Sequence, residues 1–505
     1  MLPYKTSSLC PECLEIIDAE VYEKDGKVMM KKACKHHGEF EEVYWGDAEM
    51  FKRAAKYTVD GHKFENPITK NSKCPFSCGV CNEHKSHVAL LNIVVTNRCD
   101  LACWYCFFYA KRAGYVYEPS IEQIRQMVRI ARKMKPIGCN AVQLTGGEPA
   151  IRDDIVEIIK VIKEEDYDHV QLNTNGIRIA YEKDFALKCR RAGLNTVYLS
   201  FDGVDEETNP KNHREVPKII ENCRSADLGI VLVPTIIKTV NDHQLGEMIR
   251  FAANNIDVVR GLNIQPVSLV GRMPKREREK YRITIPECIK AIEEQTDGEI
   301  GREDFYPVPS VAPISMFVEA LTGRPRYELT THFACGMASY VFKENGKLIP
   351  ITRFVDVDGL FEFLKEKAES IRKSRIKTVR ALKNIIDLRK FVDTSKAPFN
   401  VSKILFEILV KHDYTSLGEF HRRSLFIGLM HFQDLYNYDL ERVQRCQIHY
   451  ATPDGKIIPF CTFNVLPEIY RDKIHEKFGL PIDEWEKRTG KKLKDDIVRV
   501  VRRPR

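Results

Sequence analysis

Residues 91–106 read Leu-Asn-Ile-Val-Val-Thr-Asn-Arg-Cys-Asp-Leu-Ala-Cys-Trp-Tyr-Cys. An apolar, β-branched run gives way at Thr96-Asn97 to polar residues, the pattern of a buried strand entering a loop. That loop carries Cys99, Cys103 and Cys106, with the aromatic Tyr105 just before the last. Three thiolates in one loop can hold three irons of a cubane and leave the fourth iron without a protein ligand. An open iron can chelate a small molecule through an amine and a carboxylate. The spacing alone also suits a structural zinc knuckle or three packed thiols.

Working outward, cysteine usage is the next constraint. The chain has 505 residues and 16 cysteines, and nine of these fall within the first 106 positions. The N-terminus offers no apolar signal-peptide core, so a cytoplasmic location is expected, and C-x2-C spacings there read as metal sites rather than disulfides. Length predicts roughly three domains. With 43% hydrophobic and 30% charged residues the chain can bury a sizeable core. No apolar run approaches the roughly 20 residues of a membrane helix. The net charge of +8 (79 Lys+Arg against 71 Asp+Glu) suits any anionic partner and decides nothing by itself.

Downstream of the cysteine loop, a helix is predicted from Ser120 to about Lys135. A strand from Ala141 then ends in Gly146-Gly147-Glu148-Pro149. Two glycines permit close backbone approach, and Glu148 offers an acceptor to an ammonium. Further strands end at Asn173 and Asn175, at Ser200 and Asp202, at Thr235 and at Pro266, with helical stretches between them. Such alternation predicts a parallel sheet with polar residues gathered at the strand C-termini.

On these motifs residues 90–275 resemble the radical S-adenosylmethionine (radical SAM) superfamily. The resemblance implies an α/β fold with a partial (β/α)6 barrel, SAM as cofactor, and a 4Fe–4S cluster on Cys99, Cys103 and Cys106. It implies that the Gly146-Gly147-Glu148 turn meets the methionyl amine and that a low-potential donor supplies the electron. Tyr105, Asn173, Asn175, Ser200 and Asp202 become candidate cofactor contacts, with Lys238 and Asn241 as weaker ones. Each of the strand-end residues serves equally well as a helix cap.

The flanking cysteines add metal sites. Cys10-x2-Cys13 is followed after 20 residues by Cys34-x2-His37. This is a four-ligand knuckle for one zinc or iron ion, with an Asp25-Gly26 hairpin between the pairs. His36 is the rival to His37. Cys74-x3-Cys78-x2-Cys81 repeats the spacing of the first loop and reads as an auxiliary cluster loop or a second zinc site. His84 and His87 are near enough to supply a non-thiolate ligand but read as surface residues. Near the other end, Cys335 and Cys446 each precede a strand, an Asn-Gly or Asp-Gly turn and a second strand. Cys461 follows the second copy, and Thr352 stands at the matching place in the first. Cys335, Cys446 and Cys461 are therefore candidate auxiliary ligands, and one or two auxiliary 4Fe–4S clusters are expected. Cys139, Cys189, Cys223 and Cys288 read as packed thiols.

The predicted organisation is a metal knuckle over 1–60, a bridging segment with a cluster loop over 61–90, the barrel over 91–275, and an α+β cluster-binding and substrate extension over 276–505. Phe361 to Lys390 reads as a basic amphipathic helix, lying on a membrane surface or packed on the core. Leu425 to Tyr436 reads as a core or channel-lining helix.

Within the superfamily the cysteine layout resembles tetraether lipid synthases. That resemblance implies coupling of terminal phytanyl carbons of archaeal ether lipids, an anionic lipid substrate, peripheral contact at the inner membrane face, no nucleic acid, and an apolar tunnel with a basic mouth. The alternative is a radical SAM methylase or sulfur-inserting enzyme acting on a soluble cofactor such as a pterin. A non-catalytic iron–sulfur carrier or zinc-ribbon nucleic-acid module is opposed by the Gly-Gly-Glu turn and the ordered strands.

Overall fold

The structure, a computed structural model, describes residues 2–69, 73–108, 113–373, 390–397, 420 and 422–503. Strands Tyr4–Leu9, Ile16–Lys24, Lys27–Cys34 and Gly38–Trp45 form an antiparallel sheet in sequence order, the N-terminal ribbon. Asp25 and Gly26 both take positive φ (51° and 71°), as a tight hairpin turn demands. The helix Ala48–Ala55, capped by Asp47, folds back so that Phe51 packs edge-on to Trp45 at 5.6 Å and to Phe333 at 4.9 Å. Aromatic packing of this kind roots the ribbon on the rest of the chain.

The main sheet runs through parallel strands Leu90–Thr96, Ala141–Gly146, His169–Thr174, Thr196–Ser200, Gly229–Val233 and Val259–Pro266, hydrogen-bonded in that order. Helices Ile121–Arg132, Ile155–Glu164, Phe185–Arg191, Val216–Ser225 and Leu245–Asn254 stand between successive strands. The first begins where the sequence places it, with Ser120 and Gln123 in a reciprocal capping box worth about 1 kcal/mol. The strands alternate: Ile93, Val142, Leu144, Leu172 and Leu199 are fully buried. Gln143, Thr145, Asn173, Tyr198 and Ser200, on the opposite face, line one cavity. A period of two divides packing from function.

Chain beyond residue 275 completes this sheet at both edges. Leu425–Met430 lies parallel to Val259–Pro266 and is followed by the antiparallel Gly336–Glu344. At the other edge Ile448–Ala451 lies parallel to Leu90–Thr96, with Ile457–Pro459 beyond it. Loops leading into the two additions are joined: Thr330 N donates to Gln447 Oε1 (2.8 Å), and Gln447 Nε2 donates to the Glu328 carbonyl (2.9 Å). Both cysteine–hairpin copies fold as expected, one at each edge.

The segment from Leu425 is therefore a strand, not a helix. Its uninterrupted apolar run, Leu-Phe-Ile-Gly-Leu-Met, suits a strand covered on both faces. Of the amphipathic helix expected over Phe361 to Lys390, residues 361–373 and 390 are described, the first group within the helix Val357–Lys373. Its Leu360, Phe363, Leu364, Ala368 and Ile371 pack against Phe317, Phe342 and Phe354, as a core-packed stripe does. The remainder of that stretch, including Val379, Leu382 and Ile386, lies outside the described residues. Among the described residues no helix is long and apolar enough to cross a membrane.

Candidate active site and metal centres

The cysteine loop leaves the Leu90–Thr96 strand and forms a short strand, Leu101–Cys103, paired in parallel with Arg499–Val501 from the chain's last segment. Trp104 N donates to the Val501 carbonyl (3.2 Å) and Val498 N to the Asp100 carbonyl (2.8 Å). Arg98 grips the same segment, donating through Nε and Nη2 to both oxygens of Asp496 (2.8 and 2.7 Å). It also pairs with Glu118 (3.0 Å) and lies over the Trp485 ring at 4.5 Å. A bidentate, largely buried guanidinium of this kind fixes geometry as well as charge. Residues 480–503 thus form a strap that braces the loop.

The Gly146-Gly147-Glu148 turn is stitched to that loop from the other side. Gly147 N donates to the Thr96 carbonyl (2.9 Å) and Glu148 N to the Arg98 carbonyl (2.7 Å). A Cβ at Gly146 or Gly147 would fall 2.0 Å from Thr96 O or Arg98 O respectively, so no side chain fits at either position. Glu148 is buried, and its carboxylate accepts from Ala150 N (2.9 Å), Thr174 Oγ1 (2.6 Å) and Asn175 N (2.7 Å). Burial and the neighbouring Asp100 push its pKa up to about 8. With three donors already on it, this carboxyl ties neighbouring strand ends together.

A cavity of about 280 Å³ sits over the loop, at the C-terminal ends of the parallel strands. It is lined by Cys99, Cys103, Tyr105, Cys106, Gly146, Gly147, Glu148, Asn173, Asn175, Ser200 and Cys461, so eleven of the candidate site residues from sequence share one space. Burial pushes the Cys103 thiol up to about 12 and raises those of Cys99 and Cys106. Thiolate there is stable only with compensating positive charge, which bound irons would supply. Asn175 is internally engaged, donating to Asp100 (2.6 Å) and accepting from Ile177 N (2.9 Å).

Asp202 stands behind the cavity wall. It pairs with Lys211 (2.7 Å), accepts from the Tyr105 hydroxyl and takes Thr235 N (3.0 Å). Asn241 bonds the Asp202 and Thr235 carbonyls (2.8 and 2.9 Å), and neither it nor Lys238 lines the cavity.

Lys211 was not legible in the sequence. It is buried, lines the cavity and donates to Ser200 Oγ (3.0 Å), but it sits in an irregular stretch without a motif. Gln143, Asn263 and Gln265 also face the cavity, and their signal was available: an amide at every second position of an otherwise apolar strand. The far wall is aromatic, with Phe432 stacked on Phe460 at 4.0 Å and Tyr450 on Phe460 at 5.3 Å. The expected apolar tunnel with a basic mouth does not appear among the described residues; the space is compact and of mixed polarity.

In the ribbon, Cys10 and Cys13 follow the first strand, Cys34 ends the third, and His37 lies in the turn after it. Cys13 Sγ is 3.8 Å from Cys34 Sγ, and His37 Nδ1 is 3.5 Å from Cys34 Sγ and 3.6 Å from Cys10 Sγ. Metal–sulfur and metal–nitrogen bonds of about 2.3 and 2.0 Å set tetrahedral edges of about 3.8 and 3.5 Å. The donor atoms all lie within 4.8 Å of one another, and His37, not His36, is the fourth. The four residues fit a tetrahedral ion.

Cys74, Cys78 and Cys81 line a second, small cavity together with His84. His84 and His87 are buried rather than at the surface (4% and 0% exposed), because the bridging segment is covered by the residue 441–449 region. Arg442 Nε lies 3.3 Å from Cys335 Sγ, and Gln433 N donates to Cys461 Sγ (3.4 Å). Cys446 is half-buried near both, its thiol raised by desolvation and by Cys461. Cys139, Cys189, Cys223 and Cys288 are buried within the core, as packed thiols are.

Residues 93–252 match the Radical SAM superfamily, and residues 2–46 match the HMPTM N-terminal zinc ribbon domain. The 7,8-dihydro-6-hydroxymethylpterin dimethyltransferase of Methanocaldococcus jannaschii is 49% identical over 496 residues, spanning 96% of this chain and 97% of that protein. Among solved structures, the FeFe-hydrogenase maturase HydG from Carboxydothermus hydrogenoformans is similar at a TM-score of 0.32 and 14% identity, over 43% of this chain and 53% of that one. A radical SAM methyltransferase from Sphaerobacter thermophilus is similar at 0.29 and 13%, over 55% and 74%.

The dimethyltransferase comparison overturns the expectation of carbon–carbon coupling of lipid chains and of an anionic ether-lipid partner. The physical reason is that cysteine spacing specifies which metal groups a chain holds, while substrate is chosen by the residues around them. The N-terminal ribbon carries a metal site, and SAM with a 4Fe–4S cluster is the cofactor pair. The chain belongs to the radical SAM superfamily and, within it, to the family of the 7,8-dihydro-6-hydroxymethylpterin dimethyltransferase.

Proposed function

We propose that this protein is a radical SAM methylase acting on a reduced pterin. The observation that carries the reading is the near full-length 49% identity to a protein named for methylating 7,8-dihydro-6-hydroxymethylpterin. The cavity supports it, since an aromatic wall suits a flat ring and Gln143, Asn263 and Gln265 can pair with ring edges.

In this reading Cys99, Cys103 and Cys106 hold three irons, and the turn backbone at Gly146 and Gly147 receives the methionyl amine. Asn173, Ser200 and Lys211 meet the polar parts of SAM, while Tyr105, Asn175, Glu148 and Asp202 hold them in place. When bound, the cluster supplies the electron that splits SAM and so provides the radical that activates a carbon. The chain's own part is to bind, orient and exclude water, with the curled sheet acting as a partial barrel around the reacting groups. Cys10, Cys13, Cys34 and His37 hold a structural ion. Cys74, Cys78 and Cys81, and Cys335, Cys446 and Cys461, hold auxiliary clusters.

The test is anaerobic incubation of reconstituted protein with reductant, methyl-labelled SAM and the dihydropterin, followed by mass spectrometry. The expected result is 5′-deoxyadenosine together with a pterin heavier by one or two methyl groups. Formation of 5′-deoxyadenosine without any methylated pterin overturns the substrate reading.

A further inference from the structure

Three cysteines in one loop leave a cubane one protein ligand short. The Cys74–Cys81 loop has a candidate that the spacing of cysteines does not reveal. His84 lines the same small cavity as Cys74, Cys78 and Cys81. It is 4% exposed, so it is no solvent-facing residue of a loop end.

Its ring is also oriented. The hydrogen bonds of His84 both run through Nε2, to the Cys446 carbonyl at 2.8 Å and to His449 Nε2 at 3.1 Å. A carbonyl oxygen only accepts, so Nε2 carries the proton and the lone pair is left on Nδ1. A backbone carbonyl fixing the tautomer of an imidazole is the usual outer-sphere arrangement of a metal-binding histidine. The Phe64 ring lies against it, with centroids 5.8 Å apart.

The spread of the donors separates a cluster from a single ion. Among the described residues only Cys10, Cys13, Cys34 and His37 have donor atoms all within 4.8 Å of one another. The Cys74, Cys78, Cys81 and His84 donors are therefore not all within that reach of one another, although the Cys74 and Cys78 thiols lie side by side. Ligands of a cubane each bind their own iron and need not converge on one point.

We propose that His84, through Nδ1, is the fourth ligand of an iron–sulfur cubane held by Cys74, Cys78 and Cys81. The site then binds three thiolates and one neutral imidazole, with one negative charge fewer than a four-cysteine site. Its reduction potential lies above that of the all-thiolate equivalent, in the direction that histidine ligation shifts other iron–sulfur centres. All four irons are claimed by the protein, so this cluster transfers electrons and does not bind substrate. The assignment is independent of the methyl acceptor.

The experiment uses the full-length holoprotein, reduced in phosphate buffer without SAM, so that no exogenous nitrogen reaches the open iron at Cys99, Cys103 and Cys106. Pulsed electron–nuclear resonance should detect one strongly coupled nitrogen, which changes isotope when the protein carries 15N-histidine. His84→Cys, which supplies a fourth thiolate, should keep the full iron content, lose the nitrogen coupling and show a lower potential for one cluster. His84→Ala should lose both the coupling and part of the iron. A nitrogen coupling that survives His84→Cys overturns the proposal, as does its absence from the parent protein. Methylation of a pterin enters none of these readouts.

Discussion

The ribbon and the cysteine loop use the same sulfur chemistry and are built in opposite ways. In the ribbon, four donors converge within 4.8 Å because one hairpin returns the chain beside its own start. The loop at residues 99–106 is held from outside, by the Gly146-Gly147 turn on one side and by the strap on the other. A local hairpin can assemble a site for a single ion unaided. A site that must keep one iron open needs walls, and those come from distant chain.

The contrast breaks most sharply if the three loop cysteines are replaced. Cys99→Ala, Cys103→Ala and Cys106→Ala together should abolish 5′-deoxyadenosine formation while leaving the ribbon metal in place by elemental analysis. Deoxyadenosine from that variant would remove the basis of the assignment. Next in size is Gly147→Ala, whose Cβ would meet Arg98 O at 2.0 Å and push the turn off the loop. A displacement of that order costs about a hundredfold in rate, read as SAM cleavage by chromatography. Lys211→Met should raise the KM for SAM about tenfold, a loss near 1.4 kcal/mol, with a smaller change in kcat. Smallest in activity is Cys34→Ser in the ribbon. Turnover at low temperature should stay within about twofold, while the melting temperature falls with the lost folding energy of the bound ion. If Cys34→Ser instead removes SAM cleavage at 10 °C with the fold intact by circular dichroism, the ribbon is part of the active site and the contrast fails.

How far the sequence could be read follows the same divide. The ribbon ligands, including the choice of His37, were legible because their geometry is local. So were the strand order from residue 90 to 275 and the cavity-lining cysteines and glycines, since strand, loop and turn follow one another directly. The Leu425 strand was misread because an apolar run has no period to distinguish a covered strand from a helix, and only its neighbours decide. The lysine at 211 was missed because its partners Asp202 and Ser200 come from a strand end that the chain leaves through an irregular segment. His84 reads as a surface residue because its cover, at Cys446, arrives 362 residues later in the chain. The substrate was misjudged for a related reason: the aromatic cavity wall is built from Phe432, Tyr450 and Phe460, more than three hundred residues beyond the Cys99–Cys106 loop it faces.

The strap has a consequence for biogenesis. Arg499–Val501 pairs with Leu101–Cys103 across nearly four hundred positions of sequence. On a ribosome adding residues one at a time, the loop stays without its partner strand until nearly four hundred further residues have been made. A loop loaded with iron before the strap is made would take it up without its partner strand and without the Arg98–Asp496 pair. A chain clipped before residue 496 would carry every cysteine and still lack the Arg98–Asp496 clasp.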